Sequence, residues 1–81
     1  MDLVLTYHAR ERIKLRGITE EMIKEAIKFP DKESKGYKNR NLAYKGFAQG
    51  IIKVVYTVED SDYVIISVIW DKIFGGENKW K

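Results

Sequence analysis

The sequence predicts a single α+β domain, with two N-terminal helices packed on one face of an antiparallel sheet formed by the second half of the chain. Three observations predict it. Helix caps and helical apolar spacing are confined to about residues 6–29, and period-two apolar alternation is confined to about residues 42–70. Pro30 and a polar, charged stretch from Asp31 to Asn41 separate the two regions. A length of 81 residues fits one domain, 1–81, with a modest core and a loosely packed tail at 75–81.

Residues 2–5 read as a short strand or an extended lead-in. The first helix follows: Thr6 can accept from its first amides, and Gly17 supplies the left-handed turn that closes it. At roughly 100° per residue, His8, Arg12 and Arg16 fall within about 80° of one another. Ala9 and Ile13 flank that stripe on one side and Leu15 on the other, so the lone histidine and two arginines lie on or beside the face expected to turn inward. Charges on a half-buried face are costly unless paired or used, which marks this stripe as the candidate site.

Gly17-Ile18-Thr19 is a tight corner. Thr19 caps a second helix, whose Glu20 and Glu21 suit the positive end of the helix dipole. Ile18 and Ile23 form a hydrophobic staple. Met22, Ile23, Ala26 and Ile27 mark the buried stripe, and Pro30 stops the helix near Lys28 or Phe29. The segment 31–41 reads as a mobile loop with room for a short strand around Tyr37. It is either a solvated loop or a phosphate-contacting flap carrying Lys38 and Arg40.

Residues 42–47, 51–58 and 63–70 read as strands, the first two joined between Gly46 and Gly50 and the last two by the turn 59–62. With an odd-length turn, Ile52, Val54, Tyr56 and Val58 share a face with Val64, Ile66, Val68 and Trp70, and this face should meet the helices. The other face, with Ile51, Lys53, Val55, Thr57, Tyr63, Ile65, Ser67 and Ile69, is greasier than a solvated face, so it is expected to be covered or to serve as a binding or homodimer surface. In the tail, Ile73 and Phe74 can pack back on the sheet, Gly75-Gly76 frees the end, and Trp80 is either an interface anchor or unstructured.

Composition narrows the chemistry. The chain has no cysteine and one histidine, so thiolate metal sites and disulfides are excluded, and no metal site or cofactor is expected. There is no nucleophile elbow and no glycine-rich phosphate loop. No apolar run spans a bilayer and no leader pattern is seen, so the expected location is cytoplasmic, away from membranes. The net charge is +3, and residues 1–40 carry ten Lys/Arg against seven Asp/Glu while residues 41–81 carry five of each. The basic half holds the histidine, a bias that permits nucleic acid as partner.

One imidazole with several cations and hydroxyls is an inventory that can cleave RNA, because the ribose 2′-hydroxyl supplies the nucleophile. The protein then needs a proton acceptor and cationic donors for the charge growing on the phosphate. His8 can exchange a proton near neutral pH, and Arg12, one turn along, offers planar donors. Lys45, Lys53 and Ser67 on the strands are candidate partners, with Arg16, Lys38, Arg40 and Lys53 as RNA contacts. Each has a plain structural alternative: Arg16 as a last-turn residue answering the dipole, Lys53 as an outer-face lysine, Ser67 as relief in a sticky strand.

The order His8-Ala9-x-x-Arg12-x-x-x-Arg16-Gly17-Ile18-Thr19-x-Glu21, continuing through Ile23, Ala26, Ile27 and Pro30-Asp31, resembles the opening of a family of small bacterial and archaeal proteins of unknown function grouped with RelE- and barnase-like ribonuclease toxins. Gly50, Val54-Val55-Tyr56 and the strand from Val64 to Ile69 are similar to that family's later pattern, so the resemblance covers about residues 6–70. It implies two helices on an antiparallel sheet of about four strands and a metal-independent endoribonuclease, with RNA as substrate and an antitoxin protein as partner. It also implies that His8 and Arg12 are the active residues. The sequence has Ser67 where threonine is commoner, and no second histidine. Two rival readings use the same residues: a non-catalytic module binding RNA or protein, and a homodimeric regulatory protein joined through the second sheet face.

Overall fold

A computed structural model describes residues 2–71. The order of elements is β1 (Leu3–Leu5), α1 (Tyr7–Arg16), α2 (Glu20–Lys28), β2 (Lys32–Lys35), a single 3-10 turn (Tyr37–Asn39), β3 (Asn41–Phe47), β4 (Gly50–Glu59) and β5 (Asp62–Asp71). The strands form one five-stranded mixed sheet in the order β1-β5-β4-β3-β2, where β1 runs parallel to β5 and every other pair is antiparallel.

The caps fall where the sequence places them. Thr6 accepts from the Ala9 amide and Thr19 from the Met22 amide, both at 3.1 Å. Gly17 sits at φ 69° and closes α1, with the Ile18 amide reaching back to the Ile13 carbonyl at 2.9 Å. A methyl group at Gly17 would meet nothing within 4 Å, so Gly17→Ala pays only for the left-handed backbone. It is expected to cost about 1 kcal/mol, read as a lower melting temperature with unchanged helical circular dichroism.

One strand settles an open choice and another departs from expectation. Leu3–Leu5 is a true strand, held on β5 by the Tyr63 amide donating to the Asp2 carbonyl at 2.9 Å. The segment read as a loop holds β2, while Tyr37, where a short strand was expected, begins the 3-10 turn. All four residues of β2 are exposed, so it carries no apolar pattern. It exists because β3 offers an edge to pair with, and its charges suit an edge strand. The sheet therefore has five mixed strands rather than about four antiparallel ones.

The face assignment needs one correction. Asp60 and Ser61 both have positive φ, 51° and 68°, and make a two-residue turn that pairs Glu59 with Asp62. Residues of odd and even number are then opposed, as in Tyr56 with Ile65 and Val58 with Tyr63. A β-bulge follows, leaving Ile66 without a partner. Beyond it Val55 faces Ser67, Val54 faces Val68 and Ile52 faces Trp70. The core side of β5 is thus Tyr63, Ile65, Val68 and Trp70, so Val64 and Ile66 do not join it as expected. Ile52, Val54, Ile65 and Val68 meet Ile23, Ala26 and Ile27 of α2 and Ala9 and Ile13 of α1. The second face keeps Ile51, Lys53, Val55, Thr57, Ser67 and Ile69, with Val64 in place of Tyr63 and Ile65.

Burial pushes the Tyr44 phenol above its ordinary value, with help from the Asp71 carboxylate and against a hydrogen bond with Ser34. Tyr56 is raised by burial, then by Glu33 and Tyr63. The folded state thus favours the protonated phenols. Their contribution to stability is complete below about pH 10 and falls as pH rises through and beyond that value. In denaturant titrations, a Tyr44→Phe, Tyr56→Phe variant is expected to lose less stability than the parent above that pH.

No helix among the described residues is long and apolar enough to cross a membrane. The tail residues Ile73, Phe74, Gly75, Gly76 and Trp80 lie outside the described residues.

Candidate functional site

Helix α1 carries its cations on two sides. Arg10 reaches Glu20 at 3.9 Å and Lys14 reaches Glu11 at 3.8 Å, ordinary exposed pairs. His8 and Arg12 are also exposed, yet neither forms a hydrogen bond or ion pair with any described residue, and the His8 ring meets the Tyr7 ring edge-on, with centroids 6.0 Å apart. The line that turns inward is Ala9–Ile13, so the His8-Arg12-Arg16 stripe lies along the margin of the buried face rather than within it.

That margin borders a hollow of about 210 Å³ lined by His8, Ala9, Arg12 and Arg16 from α1 and by Ile66, Ser67, Val68 and Ile69 from β5. Its strand wall begins at the bulge. There β1 has ended, since its pairing with β5 stops at Leu5 opposite Ile65. The β5 backbone beyond is met by the helix: the Arg16 guanidinium Nη1 donates to the Val68 carbonyl at 2.8 Å, and the Trp70 indole Nε1 donates to the Arg16 carbonyl at 2.8 Å. This reciprocal pair fixes the end of α1 against β5. It leaves His8 and Arg12, on the preceding turns, as the cationic and imidazole groups open to solvent. An anion entering the hollow would meet planar guanidinium donors and one proton-exchanging ring.

The structure brings together His8, Arg12, Arg16 and Ser67, and leaves the other expected residues elsewhere. Lys45 lies on β3, two strands from β5, and reaches Asp31 at 3.8 Å. Asp31 also accepts from the Gly46 amide at 2.8 Å, so this pair ties the end of α2 to the sheet. Lys53 stands opposite Ile69 on the second face. Lys38, with its ammonium 5.6 Å from the Tyr37 ring, and Arg40 lie in the connection between β2 and β3, at the opposite edge of the sheet from β5. Arg16 is half-buried and engaged with Val68, so it shapes the hollow more than it offers free donors.

Two features of the site escape the sequence reading. The bulge at Ile66 leaves no mark in an apolar run, because Val64 to Ile69 alternates equally well in either register. The Trp70 bond to Arg16 joins residues 54 apart, and no local pattern announces it. Among the described residues no cluster of three or more His, Cys, Asp or Glu could hold a metal ion.

A family model described as a domain of unknown function (DUF4258) matches residues 5–70. No curated protein and no solved structure matches the chain.

Proposed function

We propose that this chain, which belongs to the DUF4258 family of domains of unknown function, is a metal-independent endoribonuclease of the RelE/barnase-like kind, held in check by an antitoxin protein. One observation carries the reading: His8 and Arg12, one helical turn apart, both line an open hollow, and neither forms a hydrogen bond or ion pair with any described residue. The basic first half of the chain, ten Lys/Arg against seven Asp/Glu, supports a polyanionic partner.

In this mechanism the scissile phosphate lies in the hollow against Arg12. His8 takes the proton of the ribose 2′-hydroxyl, and the 2′-oxygen attacks phosphorus. The 2′-oxygen–phosphorus bond forms and the phosphorus–5′-oxygen bond breaks. Arg12 stabilises the charge that grows on the non-bridging oxygens. No carboxylate and no second imidazole line the hollow among the described residues. The departing 5′-oxygen therefore takes its proton from water, and the step is slower than with a paired acid. The products are a 2′,3′-cyclic phosphate and a 5′-hydroxyl.

The test is incubation of the purified protein with a single-stranded RNA in excess chelator, followed by mass analysis of the ends. Cyclic phosphate products, and no cutting where the sugar is 2′-deoxy, are expected. Intact RNA across a range of sequences would overturn the proposal. RNA that stays intact yet binds, with an affinity that falls steeply as salt rises, would identify a non-catalytic binding module. The lack of a carboxylate or second imidazole among the described residues lining the hollow favours this second reading.

A further inference from the structure

Tyr7 opens α1, between the capping Thr6 and His8. Around the helix it lies about 160° from Ala9 and about 120° from Ile13, at roughly 100° per residue, and these are the two residues that α1 buries. The side chain is therefore turned from the core, and it is 73% exposed. Its ring meets the His8 ring edge-on, at an interplanar angle of 67° and with centroids 6.0 Å apart. A ring covered on both flat sides could not be this exposed, so at least one face of the phenol is open to solvent. Tyr7 does not line the hollow, whereas His8 does. The open ring thus stands beside the hollow, on the solvent side of the imidazole.

We propose that Tyr7 is the stacking platform for the base on the 5′ side of the scissile bond, the base carried by the same ribose whose 2′-hydroxyl gives its proton to His8. The inference rests on the ribonuclease reading of the hollow. Three observations argue for it. The first is distance. A 2′-hydroxyl within about 3 Å of the imidazole belongs to a sugar whose neighbouring carbon bears the base, and the Tyr7 ring centre is only 6.0 Å from that of His8. The second is the open face, since a flat aromatic surface stacks on any base and gains most from the larger ones. The third is charge. Glu11, one turn along from Tyr7, is paired with Lys14 at 3.8 Å, which offsets its repulsion of an approaching phosphate chain. Tyr7 therefore takes the neutral, flat half of the nucleotide whose anionic half lies against Arg12. Discrimination at this position is by ring area, purine over pyrimidine.

The test is a nuclear magnetic resonance titration of the whole protein with a dinucleotide that carries adenine on its 5′ sugar and lacks the 2′-hydroxyl there, so that it cannot be cut by this route. Inorganic phosphate is titrated separately. The dinucleotide is expected to shift the His8 and Arg12 side-chain signals and to give intermolecular Overhauser contacts between the adenine and the Tyr7 ring protons. Inorganic phosphate should shift His8 and Arg12. In Tyr7→Ala, the preference for dinucleotide over phosphate should fall roughly tenfold; Tyr7→Phe, which keeps the ring, should retain it. Uracil in place of adenine should weaken binding to the parent and make little difference to Tyr7→Ala. Tyr7 is exposed, so its variants are expected to fold as the parent does, and the parent's contacts are read directly even where one does not. Dinucleotide shifts at His8 and Arg12 without base contacts at Tyr7 overturn the platform and leave the hollow's reading in place. Base contacts at Tyr7 while His8 and Arg12 stay still remove the ribonuclease reading and, with it, the link proposed here. A dinucleotide that moves none of the three overturns both.

Discussion

Replacing His8 with alanine is expected to lower RNA cleavage by about 10²–10⁴-fold, the range lost when a positioned proton acceptor is removed. Stability should hardly change, because the ring is exposed and bonds to no described residue. This separation makes the experiment decisive. An exposed side chain in a small domain normally changes stability by less than about 0.5 kcal/mol, so loss of activity at an unchanged melting temperature cannot be ascribed to unfolding. Arg12→Ala should also reduce cleavage strongly, and Arg12→Lys should recover only part of it, since an ammonium keeps the charge and loses the planar fork. Undiminished cleavage by His8→Ala would remove the proposed mechanism.

The helical half was readable because its signals are local. Thr6, Gly17 and Thr19 act on amides and carbonyls a few residues away, so residue type and spacing suffice to fix the ends of both helices. The clustering of His8, Arg12 and Arg16 on one stripe follows from helix geometry alone. Which strand faces that stripe depends on pairing across the chain, which no local pattern reports. Ser67 was a candidate because a hydroxyl interrupts an apolar strand, and it does line the hollow. Lys45 is a candidate as a strand cation for the phosphate, and it pairs with Asp31 instead. Nothing near either residue in sequence separates the two cases; the strand order does, placing β5 against α1 and β3 away from it. Likewise Lys32–Lys35 becomes a strand through its partner and not its own pattern.

The bulge shows how a feature invisible in the sequence can matter most to the site. The two-residue turn sets Glu59 against Asp62, whereas the core pairing sets Val54 against Val68. The two registers differ by one residue, and Ile66 absorbs the difference. Removing Ile66 would leave Tyr56 opposite Ile65 and Val55 opposite Ser67, with Tyr63, Ile65, Val68 and Trp70 still on the core face in perfect alternation. The hydrophobic pattern therefore does not require the bulge. Its consequence is local: it sets the strand wall of the hollow between two anchors of the helix segment, the Thr6 amide on the Ile65 carbonyl at 3.4 Å and the Arg16 guanidinium on the Val68 carbonyl at 2.8 Å. Deleting Ile66 would shorten the path between those carbonyls by about 3.3 Å, more than the ~1 Å misplacement that costs roughly 100-fold in rate. The deletion variant is expected to unfold cooperatively at a melting temperature within about 8 °C of the parent, and to cleave RNA at least about 100-fold more slowly. Ile66→Val, which keeps the residue count, should lose far less. Parental cleavage rates in the deletion variant would show that the bulge merely reconciles the turn with the core and has no part in shaping the hollow.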